Sequence, residues 1–215
     1  MQNPFQYFDK IYCINLPDRT DRWKLVLQEF EKMDINPTRI SGVYYSGWAD
    51  KRRNASVGNH LAHAECIQDA IDNNLNNILI LEDDIQFFFT KDFTYNILDN
   101  AIKTLPKSWG LFYLGINMDR YLAHTYSPYL AKLGGGLSTH AYAINQPLFY
   151  ELRDINNNVQ TIHNDIYYAE VIMKHYDCFV TNPLLAGQRT GFSDIMGTIV
   201  NSNDMFKQRF RDNLR

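Results

Sequence analysis

The segment NILILEDDIQFF, residues 77–88, places four aliphatic residues directly before three carboxylates and then returns to apolar residues. A continuous aliphatic run is typical of a strand that is buried on both faces of a sheet. Ionised carboxylates, however, lose a large solvation free energy when they are removed from water. We therefore predict that Ile78–Leu81 form an interior strand whose carboxyl end opens into a solvated crevice. Glu82, Asp83 and Asp84 would project from that end.

Strand-like and helix-like segments alternate along the chain. Residues 8–16 (FDKIYCINL) are predicted to form a buried strand, and residues 23–33 repeat apolar side chains with a helical period. Residues 57–73 are predicted to form a helix capped by Asn59, and the basic segment before it, residues 46–56, a polar loop. Such alternation predicts an α/β fold with a largely parallel sheet. In these sheets ligands bind outside the carboxyl ends of the strands, where the three acids lie.

Composition limits the kind of protein this can be. With 215 residues, 45% of them hydrophobic, the chain suits one globular domain, predicted over residues 1–198, and an amphipathic basic tail over residues 199–215. A net charge of −3 argues against a nucleic-acid-binding protein. The three cysteines have neither zinc-site nor disulfide-framework spacing, which favours a reducing, cytoplasmic location.

Membrane contact is expected to be peripheral at most. No apolar stretch reaches the roughly 20 residues that span a bilayer, and the N-terminus lacks the order of a signal peptide. The basic tail over residues 199–215 either touches a membrane surface or is a helix with a solvated basic face.

The spacing of the acids suggests a metal site. In an extended chain Glu82 and Asp84 lie on one side and Asp83 on the other. Two carboxylates on one side can share Mn²⁺ or Mg²⁺, which keep waters and substrate phosphates as their other ligands. Such a cation can stabilise a departing diphosphate. The competing interpretation is a solvated turn or a helix cap, which the apolar run after the acids disfavours.

A glycine and two histidines form a second group of candidates. Gly58 is predicted to precede a helix, where free amide groups favour an anion and a glycine allows close approach. His60 and His63 are three residues apart and so lie near one face of that helix. They could bind zinc, but no HExxH motif or third ligand accompanies them. Helix packing and substrate contact are the alternatives.

Six stretches, in order, resemble glycosyltransferase family 25, the lipooligosaccharide galactosyltransferases and procollagen galactosyltransferase domains. They are IYCINLPDRTDRW, VGNHLAHAECIQDAI, ILILEDDI, LFYLG, THAYAI and QRTGFSD, and the resemblance as a whole covers roughly residues 8–197. The second resembles the Gly-Cys-x-x-Ser-His helix start of the family. There Asn59 and Ala62 replace the usual Cys and Ser, while Gly58 and His63 are kept.

The resemblance implies a GT-A-like (Rossmann-like) nucleotide-sugar-binding fold and a metal-dependent, inverting transferase. Its donor would be a UDP-sugar, its cofactor Mn²⁺ or Mg²⁺, and its product a hexose (galactose or glucose) on a hydroxyl of a glycan, lipid-linked glycan or glycoprotein. A bacterial surface-glycan pathway or a virus would suit such an enzyme. Glu82 and Asp84 would flank the metal–diphosphate site. The residues implied to contact the donor are Asn15, Leu16, Arg19, Arg22, Gly58, His63 and Asp83.

An inverting transfer requires a base that takes the proton of the acceptor hydroxyl. Asp165, in TIHNDIYYAE, lies where the family has an acidic pair before a helix, although it could instead cap that helix. Asp194, in GFSDI, is the second candidate for the catalytic base, with Ser193 beside it. His140, in THAYAI, is either a donor or metal contact or a core histidine.

Two other functions would use the same residues. A phosphoesterase could use the acids for Mg²⁺, but a receiver-like pocket would also need acids after the first strand, which ends in NLPDR. A non-catalytic carbohydrate-binding protein with a degenerate transferase fold could stack sugar rings on loop aromatics. These aromatics are Tyr44, Tyr45, Trp48, Tyr121 and Tyr126.

Overall fold

A computed structural model of the chain describes residues 2–119, 121–160, 163–193, 197–200 and 203–215. The strands within these ranges are, in chain order, β1 (Lys10–Asn15), β2 (Thr38–Ser41), β3 (Asn77–Glu82), β4 (Ile85–Phe87), β5 (Trp109–Tyr113), β6 (Ala123–Ser127), β7 (Leu130–Leu133), β8 (Ala141–Asn145), β9 (Asp177–Thr181), β10 (Ala186–Gln188), β11 (Gly191–Ser193) and β12 (Thr198–Val200). Eight of them form one central sheet in the order β2-β1-β3-β8-β5-β9-β7-β6.

Most strands of the central sheet run in one direction. β1 pairs in parallel with β2 and β3, and β5 pairs in parallel with β9. β8 runs antiparallel between β3 and β5, and β7 runs antiparallel between β9 and β6. The sheet is therefore mixed but mainly parallel, which confirms the predicted α/β class.

Helices cover both faces of this sheet. The α-helices of the described residues are α1 (Thr20–Met33), α2 (Lys51–Asp72), α3 (Lys91–Thr104), α4 (Phe149–Asn157), α5 (Asn164–Tyr167), α6 (Met173–His175) and α7 (Asn203–Asn213). A π-helical turn over Tyr168–Ile172 joins α5 to α6. Short 3₁₀ turns lie at Pro4–Tyr7 and Gln146–Leu148.

Alternate residues of the central strands supply two hydrophobic cores. In β3, Ile78 and Ile80 pack in the core that includes residues of α2 and α4. Leu79 and Leu81 pack in the opposite core with residues of α1 and α3. All four side chains are fully buried, which confirms the predicted interior strand. The same alternation directs Glu82 towards α2 and the next acid towards α1.

The predicted start of α2 was wrong by two turns. The helix begins at Lys51, and the carboxylate of Asp50 caps it by accepting from the amides of Arg52 and Arg53 at 2.9 and 3.4 Å. The basic segment predicted as a loop is thus largely helical, because an N-cap aspartate precedes it and three good helix formers follow. Asn59 is not a cap but lies in the helix interior.

Gly58 also lies inside α2, so it offers no free helix N-terminus to an anion. Its role is close approach: a Cβ built on Gly58 would lie 2.0 Å from the carbonyl oxygen of Val43. The helix and the Val43–Tyr45 segment can pack this tightly only because the side chain is a hydrogen. The close approach that the sequence interpretation assigned to an anion is made here by the protein backbone.

A small antiparallel pair, β4 with β10, closes the turn that carries the acids. Gln188 of β10 lies opposite Ile85, the residue after Asp84. The amide of Arg189 donates to the carbonyl of Asp84 at 2.6 Å. A segment from the far end of the chain is thereby fixed against the carboxyl end of β3.

The basic tail packs on the domain through α7. Phe206 and Phe210 are buried in the core on the α2 face. Beyond the helix, Arg215 exchanges main-chain hydrogen bonds with Ala123 and Thr125 of β6. None of the described helices is long and apolar enough to cross a membrane.

Replacing Gly58 with alanine should test the close approach. Alanine favours helix by about 1 kcal/mol over glycine, but a Cβ 2.0 Å from the Val43 carbonyl oxygen must displace backbone, which should cost about 3 kcal/mol. We expect Gly58→Ala to lower the melting temperature by a few degrees, measured by calorimetry. Glu65→Ala, at an exposed site on the same helix, is the control. A Gly58→Ala protein as stable as the wild type would contradict the contact.

Candidate active site

Two cavities meet at the carboxyl end of β3. The first has a volume of about 440 Å³ and the second about 340 Å³. Glu82 and Asp84, the predicted metal ligands, border both cavities. The other residues that border both cavities are Arg22, Asn59, Gln188 and Ser193.

Three donors converge on a single oxygen of Glu82. Oε1 accepts from Thr139 at 3.1 Å, lies 3.3 Å from Nε2 of His63, and accepts from Asn59 at 3.4 Å. Burial alone would raise the pKa of Glu82, but the interaction with His63, and after it the hydrogen bond from Asn59, lower it below its ordinary value. Oε2 has no hydrogen-bond partner in the described part of the chain. One carboxylate oxygen is thus anchored and the other remains available.

Asp84 has the opposite electrostatic environment. Its Oδ2 accepts one amide hydrogen from Gln188 at 3.3 Å, and its Oδ1 is buried without a partner among the described residues. Burial, followed by the charges of Glu82 and Asp83, raises the pKa of Asp84 to about 7. An unpaired carboxylate oxygen beside two other acids is a donor set that a hard cation suits.

The residues present therefore fit a divalent cation held by two carboxylates. The described residues contain no group of three or more His, Cys, Asp or Glu side chains arranged to hold a metal. A cation at Glu82 and Asp84 would take its remaining ligands from water and phosphate oxygens, as Mg²⁺ usually does.

Asp83 points away from this pair and is tied to the protein on both oxygens. Oδ2 accepts from Asn15 at 2.6 Å, and Oδ1 pairs with Arg22 at 2.9 Å. Arg39 stacks on Trp23 and donates to the side chain of Asn15. The predicted donor contacts Asn15, Asp83 and Arg22 thus form one network at the edge of the first cavity.

Of the remaining predicted donor contacts, three line the first cavity and one lies outside both cavities. Leu16, Arg19 and Gly58 line the first cavity, and Arg19 also pairs with Asp21 at 3.1 Å. His63 is fully buried behind Glu82 and borders neither cavity.

The second cavity holds one of the two predicted bases. Asp165 lines it, and its Oδ2 accepts from the amide of Ser138 at 2.9 Å. Ser138 has a φ of 78°, a left-handed conformation that this contact helps to hold. Asp165 does not cap α5, whose N-cap residue is His163. Asp194 lies outside the described residues.

His140 is a core histidine. It is fully buried, its ring lies 5.8 Å from that of Phe206, and it borders neither cavity. Burial lowers the pKa of His140 to about 4, so the ring is neutral. Its carbonyl accepts from the amide of Glu82 at 2.9 Å, which continues the pairing of β3 with β8.

Sequence reasoning missed two residues that hold Glu82. Asn59 was assigned to a helix cap, and Thr139 received no role. Thr139 lies beside Glu82 because β8 is antiparallel to β3, so the start of β8 adjoins the end of β3. The polar pair before an apolar strand, STHAYAI, was the available signal.

The first of two solved structures that match the chain shows the same fold. A crystal structure of a glycosyltransferase involved in the glycosylation of the major capsid of PBCV-1 matches with a TM-score of 0.50, 11% identity and coverage of 80% of both chains. The apo form of mouse xyloside xylosyltransferase 1 matches with a TM-score of 0.39, 10% identity and coverage of 78% of this chain and 70% of that one. The fold is that of the GT-A-like glycosyltransferases, as predicted.

The family is shown by sequence. The model of glycosyltransferase family 25 (LPS biosynthesis protein) matches residues 8–167, well over half of the chain. The chain therefore belongs to glycosyltransferase family 25, and the protein is a glycosyltransferase. A search of curated proteins gave no match.

The raised pKa of Asp84 predicts a pH-dependent gain in stability on neutralisation. A carboxyl whose folded pKa lies above its unfolded value, near 3.9, supports the fold at low pH and loses that contribution as pH rises through about 7. Without metal, Asp84→Asn should therefore melt higher than the wild type at pH 8, and the difference should shrink towards pH 5. Thermal melts across this range measure it. Asp154→Asn, at an exposed site, should show no such trend.

Proposed function

We propose that the protein transfers a hexose, galactose or glucose, from a UDP-sugar to a hydroxyl of a glycan or glycoprotein acceptor, using Mn²⁺ or Mg²⁺. The observation that carries the proposal is that Glu82 and Asp84 border both cavities at once. The donor would occupy the first cavity and the acceptor the second. The bond that breaks would then lie at the junction, beside the two acids.

The first cavity has the groups that a nucleoside diphosphate needs. Its volume of about 440 Å³ lies within the range of small-molecule sites. Leu16, Tyr44 and Tyr45 line it and offer apolar and aromatic surface to a base. Arg19 and Arg22 line it too, and their guanidinium groups match phosphate oxygens.

Glu82 and Asp84 would hold the cation through Oε2 and Oδ1, the oxygens without hydrogen-bond partners among the described residues. When bound, the cation supplies positive charge that stabilises the departing diphosphate. Asn59, His63 and Thr139 hold Glu82, so its free oxygen has a fixed direction before any ligand arrives.

Asp165 is the proposed base, because it lines the second cavity and one of its oxygens is already anchored by Ser138. Its other oxygen takes the proton of the acceptor hydroxyl as the new oxygen–carbon bond forms at the anomeric carbon. The bond from that carbon to the diphosphate breaks at the same time, and its electron pair leaves with UDP. A single displacement of this kind inverts the anomeric carbon.

The metal role is tested by turnover of a panel of UDP-sugars. With water in place of the acceptor hydroxyl, the wild type should hydrolyse UDP-galactose or UDP-glucose and release UDP with Mn²⁺ and not with EDTA. Asp84→Asn should reduce that release by about 100-fold or more, because a cation contributes several kcal/mol to the transition state. Coupled detection of UDP measures both.

Asp154→Asn removes an exposed aspartate charge on α4 and should keep full turnover. Turnover that is unchanged in EDTA, or in Asp84→Asn, would contradict the metal role. Release of inorganic phosphate without sugar transfer would favour a phosphoesterase, and binding without turnover across the panel would favour a carbohydrate-binding protein.

The role of Asp165 predicts a selective loss. Asp165→Asn keeps the size of the side chain and an oxygen for Ser138 but removes the base. We expect the rate of transfer at saturating substrates to fall by about 10²–10⁴-fold, with the affinity for UDP and Mn²⁺ unchanged. Steady-state kinetics and calorimetric UDP titration measure the two quantities. Equal losses in both would show that Asp165 serves binding and not proton transfer.

The location that we propose is cytoplasmic. The cysteines Cys13, Cys66 and Cys178 are all free and buried, an arrangement that a reducing compartment suits. Donor nucleotide sugars and a glycan, lipid-linked glycan or glycoprotein acceptor are the partners that follow from the proposed reaction.

A further inference from the structure

We propose that His60 and His63, one turn apart on α2, are paired positioning residues for the two sides of the junction. His63 orients Glu82 on the cation side, and His60 orients the segment that carries Asp165 on the acceptor side. The inference rests on the proposed function, since it assigns these two sides their roles.

His63 is set between Glu82 and Tyr142. Its Nε2 lies 3.3 Å from Oε1 of Glu82, and its Nδ1 lies 3.0 Å from the hydroxyl of Tyr142. A carboxylate can only accept, so Nε2 carries the hydrogen, and in the neutral ring the tyrosine hydroxyl donates to Nδ1. Hydrogen bonds on both nitrogens fix the orientation of the imidazole ring. The fixed ring in turn holds the carboxylate of Glu82 in one orientation.

His60 faces a different partner. Its Nε2 accepts from the main-chain amide of Asn164 at 3.1 Å and lies 3.3 Å from the hydroxyl of Ser56. Nε2 is therefore unprotonated and Nδ1 carries the hydrogen. Burial lowers the pKa of His60 to about 3, so the ring stays neutral and remains an acceptor. His60 is 3% exposed and lies in the wall of the second cavity.

The hydrogen bond to His60 fixes the backbone of Asn164, and Asn164 precedes the proposed base Asp165. The side chain of Asn164 donates to Asn156 of α4 at 2.8 Å, while its amide donates to His60. Both anchors are buried, and Asp165 is the next residue. The backbone that presents Asp165 is therefore fixed from inside the protein on one side and by Ser138 on the other.

This arrangement replaces the zinc interpretation of the two histidines. Each Nε2 is occupied by a different partner, Glu82 or the amide of Asn164, so the pair does not converge on one point. The competing interpretation is that the two histidines belong to one structural unit, linked through buried side chains. Tyr142 packs against Tyr168 with ring centroids 5.9 Å apart, and the Tyr168 hydroxyl accepts from Asn156.

The experiment separates the two positions with His63→Phe and His60→Phe, which keep a ring but remove its nitrogens. Calorimetric titration of Mn²⁺ in the presence of UDP reports on Glu82. Hydrogen–deuterium exchange of the Asn164 amide reports on the acceptor segment, as does the rate of UDP release from UDP-galactose or UDP-glucose. His124→Gln, an exposed histidine on β6, is the matched control.

We expect His63→Phe to weaken Mn²⁺ binding by about 10–100-fold and to leave exchange at Asn164 within twofold of wild type. His60→Phe should speed that exchange and slow UDP release by about 10–100-fold, with Mn²⁺ binding within twofold. His63→Gln and His60→Gln, which restore a donor and an acceptor, should recover much of each loss. If a phenylalanine variant does not fold, His63→Leu or His60→Leu, which also removes the ring nitrogens, replaces it and should show the same loss.

Two results would overturn the inference. The first is that either phenylalanine variant changes both Mn²⁺ binding and exchange at Asn164, which is the behaviour of a single structural unit. The second is that neither Mn²⁺ binding nor exchange changes in either variant. Failure of the proposed function looks different. A wild type that consumes no UDP-sugar would remove the turnover readout, while Mn²⁺ binding and amide exchange would still decide between separate and shared roles.

Discussion

The structure depends on keeping a negative charge at the end of a buried strand. Ile78–Leu81 are fully buried in β3, and the chain then reaches Glu82, which is partly buried at the junction of the two cavities. Donors from α2 and from the start of β8 converge on one oxygen of that side chain. These donors favour the ionised form of Glu82, while burial and the neighbouring charge of Glu82 raise the pKa of Asp84.

The three consecutive acids each secure a different part of the fold. Glu82 is held by α2, Asp83 by α1 and the end of β1, and Asp84 by β10. One short turn thereby fixes segments that are far apart in the sequence. The same contacts create the junction of the two cavities, so the architecture of the site and the stability of the turn have a common origin.

Much of the fold followed from local patterns. The aliphatic run of β3 and the apolar period of α1 are set by burial on one or two faces, which a sequence shows directly. The start of α2 did not follow, because Lys51 and its basic neighbours suggest solvent and the capping carboxylate of Asp50 is one residue among several candidates. The sequence contains the capping residue, but it does not show which of several candidate residues caps the helix.

Site residues that follow a strand in the sequence could be predicted. Site residues that reach the site only because a neighbouring strand is antiparallel could not. The acids could be placed from β3 alone. Thr139 could not, because it reaches Glu82 only when β8 runs antiparallel to β3, and a pattern of alternating strands and helices favours parallel pairing. The sequence identified the histidines of α2 as candidates, but the hydrogen-bond partner of each ring nitrogen depends on the tertiary structure.

The contact of Arg215 with β6 has a consequence for solubility. β6 is the last strand of the central sheet, and its outer main-chain groups could otherwise pair with a strand of another molecule. The amide of Arg215 donates to the carbonyl of Ala123 and its carbonyl accepts from the amide of Thr125, so two groups of that row are occupied. Removing the final residues would leave an open template for aggregation on the side of the protein away from β2, the strand at the opposite end of the sheet.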